Sequence, residues 1–141
     1  MIECALVFDT QGRVIRYHLP PGRTAGSIPD SHALWDVLWK HRKIVGGVAH
    51  THPWHGQSAP SSTDLSTFRA IEQGLGQLLL WPIVTFTEVR SFVWDSATKA
   101  YVEAGPLTFT LEGVERLREL SLERWESDPR FRVATTNGKA R

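Results

Sequence analysis

Apolar residues along this chain fall into short runs separated by turn-forming residues, and the period of each run predicts its element. IECALVFD is a nearly continuous apolar run closed by DTQGR, the pattern of a buried strand. RVIRYHL alternates well enough to pair with it as a hairpin. PPGRTAGSIPD, from Pro20 to Asp30, is a Pro/Gly-rich connection. After it, Asp30 or Ser31 can cap a helix running to about Arg42, with Leu34, Val37 and Leu38 on one face and Trp35 and Trp39 one turn apart beside them. IVGGVAH reads as a second buried strand. SSTDLSTFRAIEQGLG carries a helix start at Ser61 or Ser62 and a stop at Gly74 or Gly76. LLLWPIVTF, RSFVW and KAYVEA read as strands separated by the turns TEV and DSAT. A last helix is expected from about Glu112 to Trp125, where Val114, Leu117 and Leu120 recur on one side.

The order strand, strand, helix, strand, helix, strands, helix predicts an α/β domain, a mixed β-sheet flanked by helices. That domain spans residues 1–125. The remainder, 126–141, is poor in apolar residues and is expected to be a disordered tail.

Composition narrows the function classes. The chain has 141 residues, 41% of them hydrophobic, enough for one domain with one core. Its 16 Lys and Arg against 15 Asp and Glu give a net charge of +1, which argues against nucleic acid or an acidic membrane surface as partner. No apolar stretch approaches the roughly 20 residues that span a bilayer. The start MIECALVFD has an acid near its beginning and no basic stretch, so it does not fit a secretory leader, and the expected location is the cytoplasm. The single cysteine, Cys4, excludes an internal disulfide framework or a Cys-rich zinc site and reads as a core residue.

Chemistry concentrates in HTHPWHGQSAPSSTD, residues 50–64. Residues two apart on a strand point the same way, so His50 and His52 present both imidazoles on one side at the end of a rigid strand. Asp64 falls in the first turn of the following helix, across a loop at 53–60 long enough to fold back. Two imidazoles and one carboxylate suit zinc, and three protein ligands leave a fourth position open, as in catalytic zinc sites. Ser61 and Asp64 also fit a plain helix cap, and capping is compatible with ligation.

His50-Thr51-His52-Pro53 followed by Ser61-x-x-Asp64 resembles the signature of the JAMM/MPN+ metalloproteases, in particular bacterial or archaeal members. The resemblance covers the chain from Glu3 to about Trp94, with WPIVTF and RSFVWD similar to the strands after the motif helix. The spacer between His52 and Ser61 is one residue longer than is usual in the family, a cheap change in a loop. The resemblance implies an MPN, cytidine-deaminase-like architecture. It implies Zn2+ held by His50, His52 and Asp64, Glu3 acting on the water that the metal activates, and Ser61 stabilising the oxyanion. The implied reaction is hydrolysis of an amide or isopeptide bond at the C-terminus of ubiquitin or a ubiquitin-like modifier. Family members usually carry a helix before the glutamate strand. This chain starts almost on that strand, so a partner protein or a second copy is expected near the N-terminus.

The alternative within the same resemblance is a non-catalytic MPN-type interaction scaffold, and Glu3 decides between the two. A zinc deaminase would need an HxE and a PCxxC that Cys4 alone cannot supply. A RadC-like nucleic-acid-associated domain shares the motif but does not fit the near-neutral charge. Among the other acids, Glu88 reads as a solvated turn residue, Glu72 as part of the motif helix and Glu103 as part of a late strand. Trp54 can line a substrate groove or pack over the loop, and His55 reads as a solvated loop residue. His18, His32 and His41 lack motif context, while Trp35, Trp39, Trp81 and Trp94 read mainly as core.

Overall fold

The computed structural model describes residues 3–19, 32–52 and 58–127. Among these residues nine elements follow one another: β1 (Ala5–Asp9), β2 (Val14–His18), α1 (His32–Lys40), β3 (Val45–Thr51), α2 (Ser62–Leu75), β4 (Trp81–Val84), β5 (Val89–Asp95), β6 (Ala100–Glu103) and α3 (Val114–Ser127). The six strands form one sheet in the order β2-β1-β3-β4-β5-β6. Only β3 and β4 run parallel, joined through α2, and the other neighbours are antiparallel. The expected mixed sheet with helices is therefore present.

The apolar run CALVF is buried throughout because both faces of β1 are covered. Ala5 and Val7 pack with Val48, Ile83 and Trp81 of the sheet under Leu38 of α1 and Phe68 of α2. Cys4, Leu6 and Phe8 point the other way, to Ala49, Val84 and the α3 residues Leu117 and Leu120. The central strands thus lie between α1 and α2 on one face and α3 on the other. Gly47 is needed where β3 crosses close to β4, since a Cβ there would sit 1.9 Å from the Leu80 carbonyl oxygen. The two glycines of IVGGVAH mark close approach rather than a break in the strand.

Two expectations change in detail, and of the two helix stops expected one is decided. The run LLLWPIVTF forms a strand only over Trp81–Val84. At its start the Leu79 N–H is diverted to the Glu72 carboxylate. At its end the Thr85 hydroxyl oxygen accepts the N–H groups of Thr87 and Glu88 and closes the turn. The helix stop is Gly76, left-handed at φ 72°, while Gly74 lies inside α2 against the Trp35 ring. Trp39 is not core: it is 46% exposed, with the Trp35 ring on one side and the Arg42 guanidinium 4.2 Å from its centroid on the other. Trp81 is fully core, and Trp35 and Trp94 are half-buried. His18 is buried, His41 half-buried and His32 exposed. α3 runs to Ser127, and residues 128–141, the cap candidates Asp30 and Ser31, and Pro20 to Asp30 lie outside the described residues.

Candidate metal centre

β3 ends at the edge of the core, and the pairing of its last residues decides what the two histidines face. Ala5 pairs with His50 in the antiparallel β1–β3 ladder. Continuing that register by two residues sets Glu3 opposite His52, on the same face as both imidazoles. Thr51 points to the opposite face, where its hydroxyl oxygen accepts the Cys4 N–H at 2.8 Å, and its own N–H donates to the Cys4 carbonyl at 2.9 Å. The His52 N–H donates to the Val84 carbonyl at 2.9 Å, which extends the β3–β4 pairing past the strand end. Backbone bonds to two neighbouring strands therefore hold the His50–His52 segment.

Asp64 arrives from α2. Ser61 is the N-cap: its hydroxyl oxygen accepts the Asp64 N–H at 3.1 Å, and Asp64 Oδ2 accepts the Ser61 N–H at 2.9 Å, a reciprocal capping box. The same Oδ2 lies 3.1 Å from His52 Nε2 and 3.4 Å from His50 Nε2. The two Nε2 atoms are 3.0 Å apart. Ligands at about 2.0–2.1 Å from a tetrahedral zinc are separated by about 3.3 Å. The separations of 3.0, 3.1 and 3.4 Å bracket that edge length, so these three atoms converge on one point. Glu3, His50 and His52, all buried, also form a group able to hold a metal ion, their ligand atoms lying within 4.8 Å of one another. Of the two carboxylates Asp64 is the nearer to the histidines, because Glu3 Oε1 is 3.7 Å from His52 Nε2. Both carboxylates thus border the pair of imidazoles.

Electrostatics separate the two acids. Burial pushes the Glu3 carboxyl from 4.5 up to about 7; the His52 imidazole opposes the rise and the Asp64 charge adds to it. Burial would raise Asp64 as well. The hydrogen bonds of its carboxylate with both imidazoles and with the Ser61 N–H outweigh that and hold it well below the usual carboxylate range. The two carboxyls are thus shifted in opposite directions by their surroundings.

The structure thus brings Glu3, His50, His52, Ser61 and Asp64 together. Trp54 and His55 lie outside the described residues. Glu103 is exposed at the far side of the sheet and forms a two-armed ion pair with Arg90. Glu88 is exposed, as expected of a turn residue, yet it accepts the hydroxyl of the fully buried Ser58 at 2.7 Å. Glu72 is the residue that sequence reasoning undervalued. It is 2% exposed and accepts three hydrogen bonds. Its spacing of four from Phe68 and eight from Asp64, on the apolar stripe of α2, was the signal available in the sequence.

No protein-family model matches this chain, and no curated protein matches it significantly. Among the described residues no helix is long and apolar enough to cross a membrane.

Proposed function

We propose that the chain is a zinc-dependent isopeptidase or peptidase of JAMM/MPN+ type, cleaving the amide bond at the C-terminus of ubiquitin or a ubiquitin-like modifier. The observation that carries this reading is the convergence of His50 Nε2, His52 Nε2 and Asp64 Oδ2, with the Glu3 carboxyl beside them. His50, His52 and Asp64 would hold Zn2+. Bound there, zinc supplies Lewis acidity, lowering the pKa of water and polarising a carbonyl.

Glu3 accepts the proton of the attacking water at its carboxylate and returns it to the nitrogen of the leaving amine as the C–N bond breaks. Its carboxyl is buried beside the imidazoles, 3.7 Å from His52 Nε2, within reach of a water held between them. Ser61 Oγ uses a lone pair on the Asp64 N–H and keeps its own O–H to donate to the oxyanion that develops on the attacked carbonyl. The capping box thus holds Asp64 in place and leaves the Ser61 O–H available to donate. No cysteine nucleophile is required, in keeping with Cys4 being fully buried in the core. The arrangement of sheet and helices is in keeping with an MPN, cytidine-deaminase-like fold.

The reading is tested with the zinc-loaded protein on a ubiquitin-like modifier whose C-terminus carries an amide-linked fluorophore. Turnover is expected, abolished by a chelator and restored by added Zn2+. Turnover that survives complete metal removal would contradict the assignment.

A further inference from the structure

Glu72 is a buried carboxylate that the proposed chemistry does not use. Its Oε2 accepts the Leu79 N–H at 2.8 Å and the Trp81 indole N–H at 3.0 Å, and its Oε1 accepts the Tyr101 hydroxyl. All three partners are donors, and the two carboxyl oxygens accept from all of them. They come from the segment entering β4, from β4 itself and from β6, while Glu72 belongs to α2. Apolar packing alone lets a helix slide or roll on a sheet. Three directional bonds to one side chain fix both its height and its rotation.

Two paths lead from this clamp to the metal triad. The first runs along α2, where Asp64, Phe68 and Glu72 recur every four residues on the side that faces the sheet. Asp64 lies two turns from Glu72, so a roll of the helix is passed directly to the carboxylate between the imidazoles. The second runs through a cage of rings. Phe68 stacks on Trp81 at 4.2 Å and 13°, and meets Tyr101 edge-on at 5.4 Å. Those are the two aromatic side chains that Glu72 binds. The same Phe68 ring meets His50 at 6.1 Å and 67°. Glu72 thus holds the walls around Phe68, and Phe68 backs the imidazole.

We propose that Glu72 is a positioning residue, which through α2 and the Phe68 ring sets the separation of Asp64 Oδ2 from the His50 and His52 nitrogens. The proposal rests on the reading of those three residues as metal ligands. A group that acts on the ligands in this way typically changes metal affinity by roughly ten- to a hundredfold when removed.

Cobalt(II) is the probe, because the intensity and position of its d–d bands report ligand geometry independently of turnover. Co2+ titrations compare the wild type with Glu72→Ala, Glu72→Gln and Leu117→Ala. Leu117 is core on the opposite face of the sheet and controls for general loosening. The glutamine amide oxygen can still accept the Leu79 and Trp81 donors, and its NH2 can donate to the Tyr101 oxygen. Glu72→Ala is expected to weaken Co2+ binding by roughly ten- to a hundredfold with altered bands. Glu72→Gln should recover most of the affinity, and Leu117→Ala should leave both readouts unchanged. Wild-type affinity and bands in Glu72→Ala would overturn the proposal, as would an equal loss in Leu117→Ala. Should Glu72→Ala fail to fold, the comparison is read on Glu72→Gln and Tyr101→Phe. Tyr101→Phe, which removes one of the three bonds, is then expected to weaken binding more than Glu72→Gln, and a Tyr101→Phe titration identical to wild type overturns it. A wild type that takes up no Co2+ defeats the metal-site reading itself, an outcome distinct from a site that binds but ignores Glu72.

Discussion

Glu3→Gln is expected to reduce hydrolysis by about 10²–10⁴-fold, the usual contribution of a positioned proton carrier, while zinc stays bound. Glutamine preserves the shape of the side chain and removes only its ability to take and return a proton. Retention of zinc follows from the distances: Asp64 Oδ2 is 3.1 Å from His52 Nε2, whereas Glu3 Oε1 is 3.7 Å away. Because the residue is nearly fully buried, the amide must find hydrogen bonds where the acid did, so the variant's folding is checked alongside. Turnover of the modifier amide and elemental zinc are measured on one preparation. Full activity in the variant would remove Glu3 from the mechanism. Loss of zinc would instead make Glu3 a ligand, the role open to it within the Glu3, His50 and His52 group. Zinc retained with activity abolished excludes the scaffold reading, since a scaffold has no turnover to lose.

The second large effect is a pH dependence of stability that changes sign with the metal. In the metal-free protein the Glu3 carboxyl titrates at about 7, against 4.5 in its ordinary state. The folded chain therefore keeps a proton that the unfolded chain releases. Its contribution to stability is complete below 4.5, falls as pH rises through this window and levels off above about 7. The displacement corresponds to ~3 kcal/mol. Asp64 is shifted the other way, and its contribution is lost only as pH falls below the ordinary carboxylate range, outside the window. Urea unfolding of the chelated protein between pH 4.5 and 7.5 should show the decline, and Glu3→Gln should lack that part of it. With zinc present the trend reverses, because zinc binds the deprotonated donors and stabilises the fold more as pH rises. A metal-free protein whose stability climbs with pH to the same extent in wild type and Glu3→Gln would contradict the environment assigned to Glu3.

Much of this architecture is legible in the chain because local signals agree with the fold. CALVF reads as a strand covered on both faces, and it is. Ser61 and Gly76 bracket α2 through side-chain and left-handed capping, which depend on the residue and its immediate neighbours. The HxH spacing translates directly into two imidazoles on one face of a strand. What pairing supplies is less visible. Glu3 reaches His52 only through the β1–β3 register, which no local pattern reports. Glu72 looks like an ordinary polar residue of an amphipathic helix until β4 and β6 bring an N–H, an indole and a hydroxyl to it. Trp39 shows the converse. Its size suggests the core, but the structure stacks it between Trp35 and Arg42 at the surface, an arrangement set by the end of α1. The buried Ser58 held by Glu88 joins residues thirty apart and carries no motif.

Metal stoichiometry decides whether His50, His52 and Asp64 form a zinc site. Elemental analysis is made on the wild type and on the His50→Ala, His52→Ala double variant, each reconstituted with Zn2+ and freed of loosely held metal. One zinc per wild-type chain and none in the double variant is the expected result. A folded wild type that retains no zinc, or a double variant that retains as much as the wild type, would contradict it.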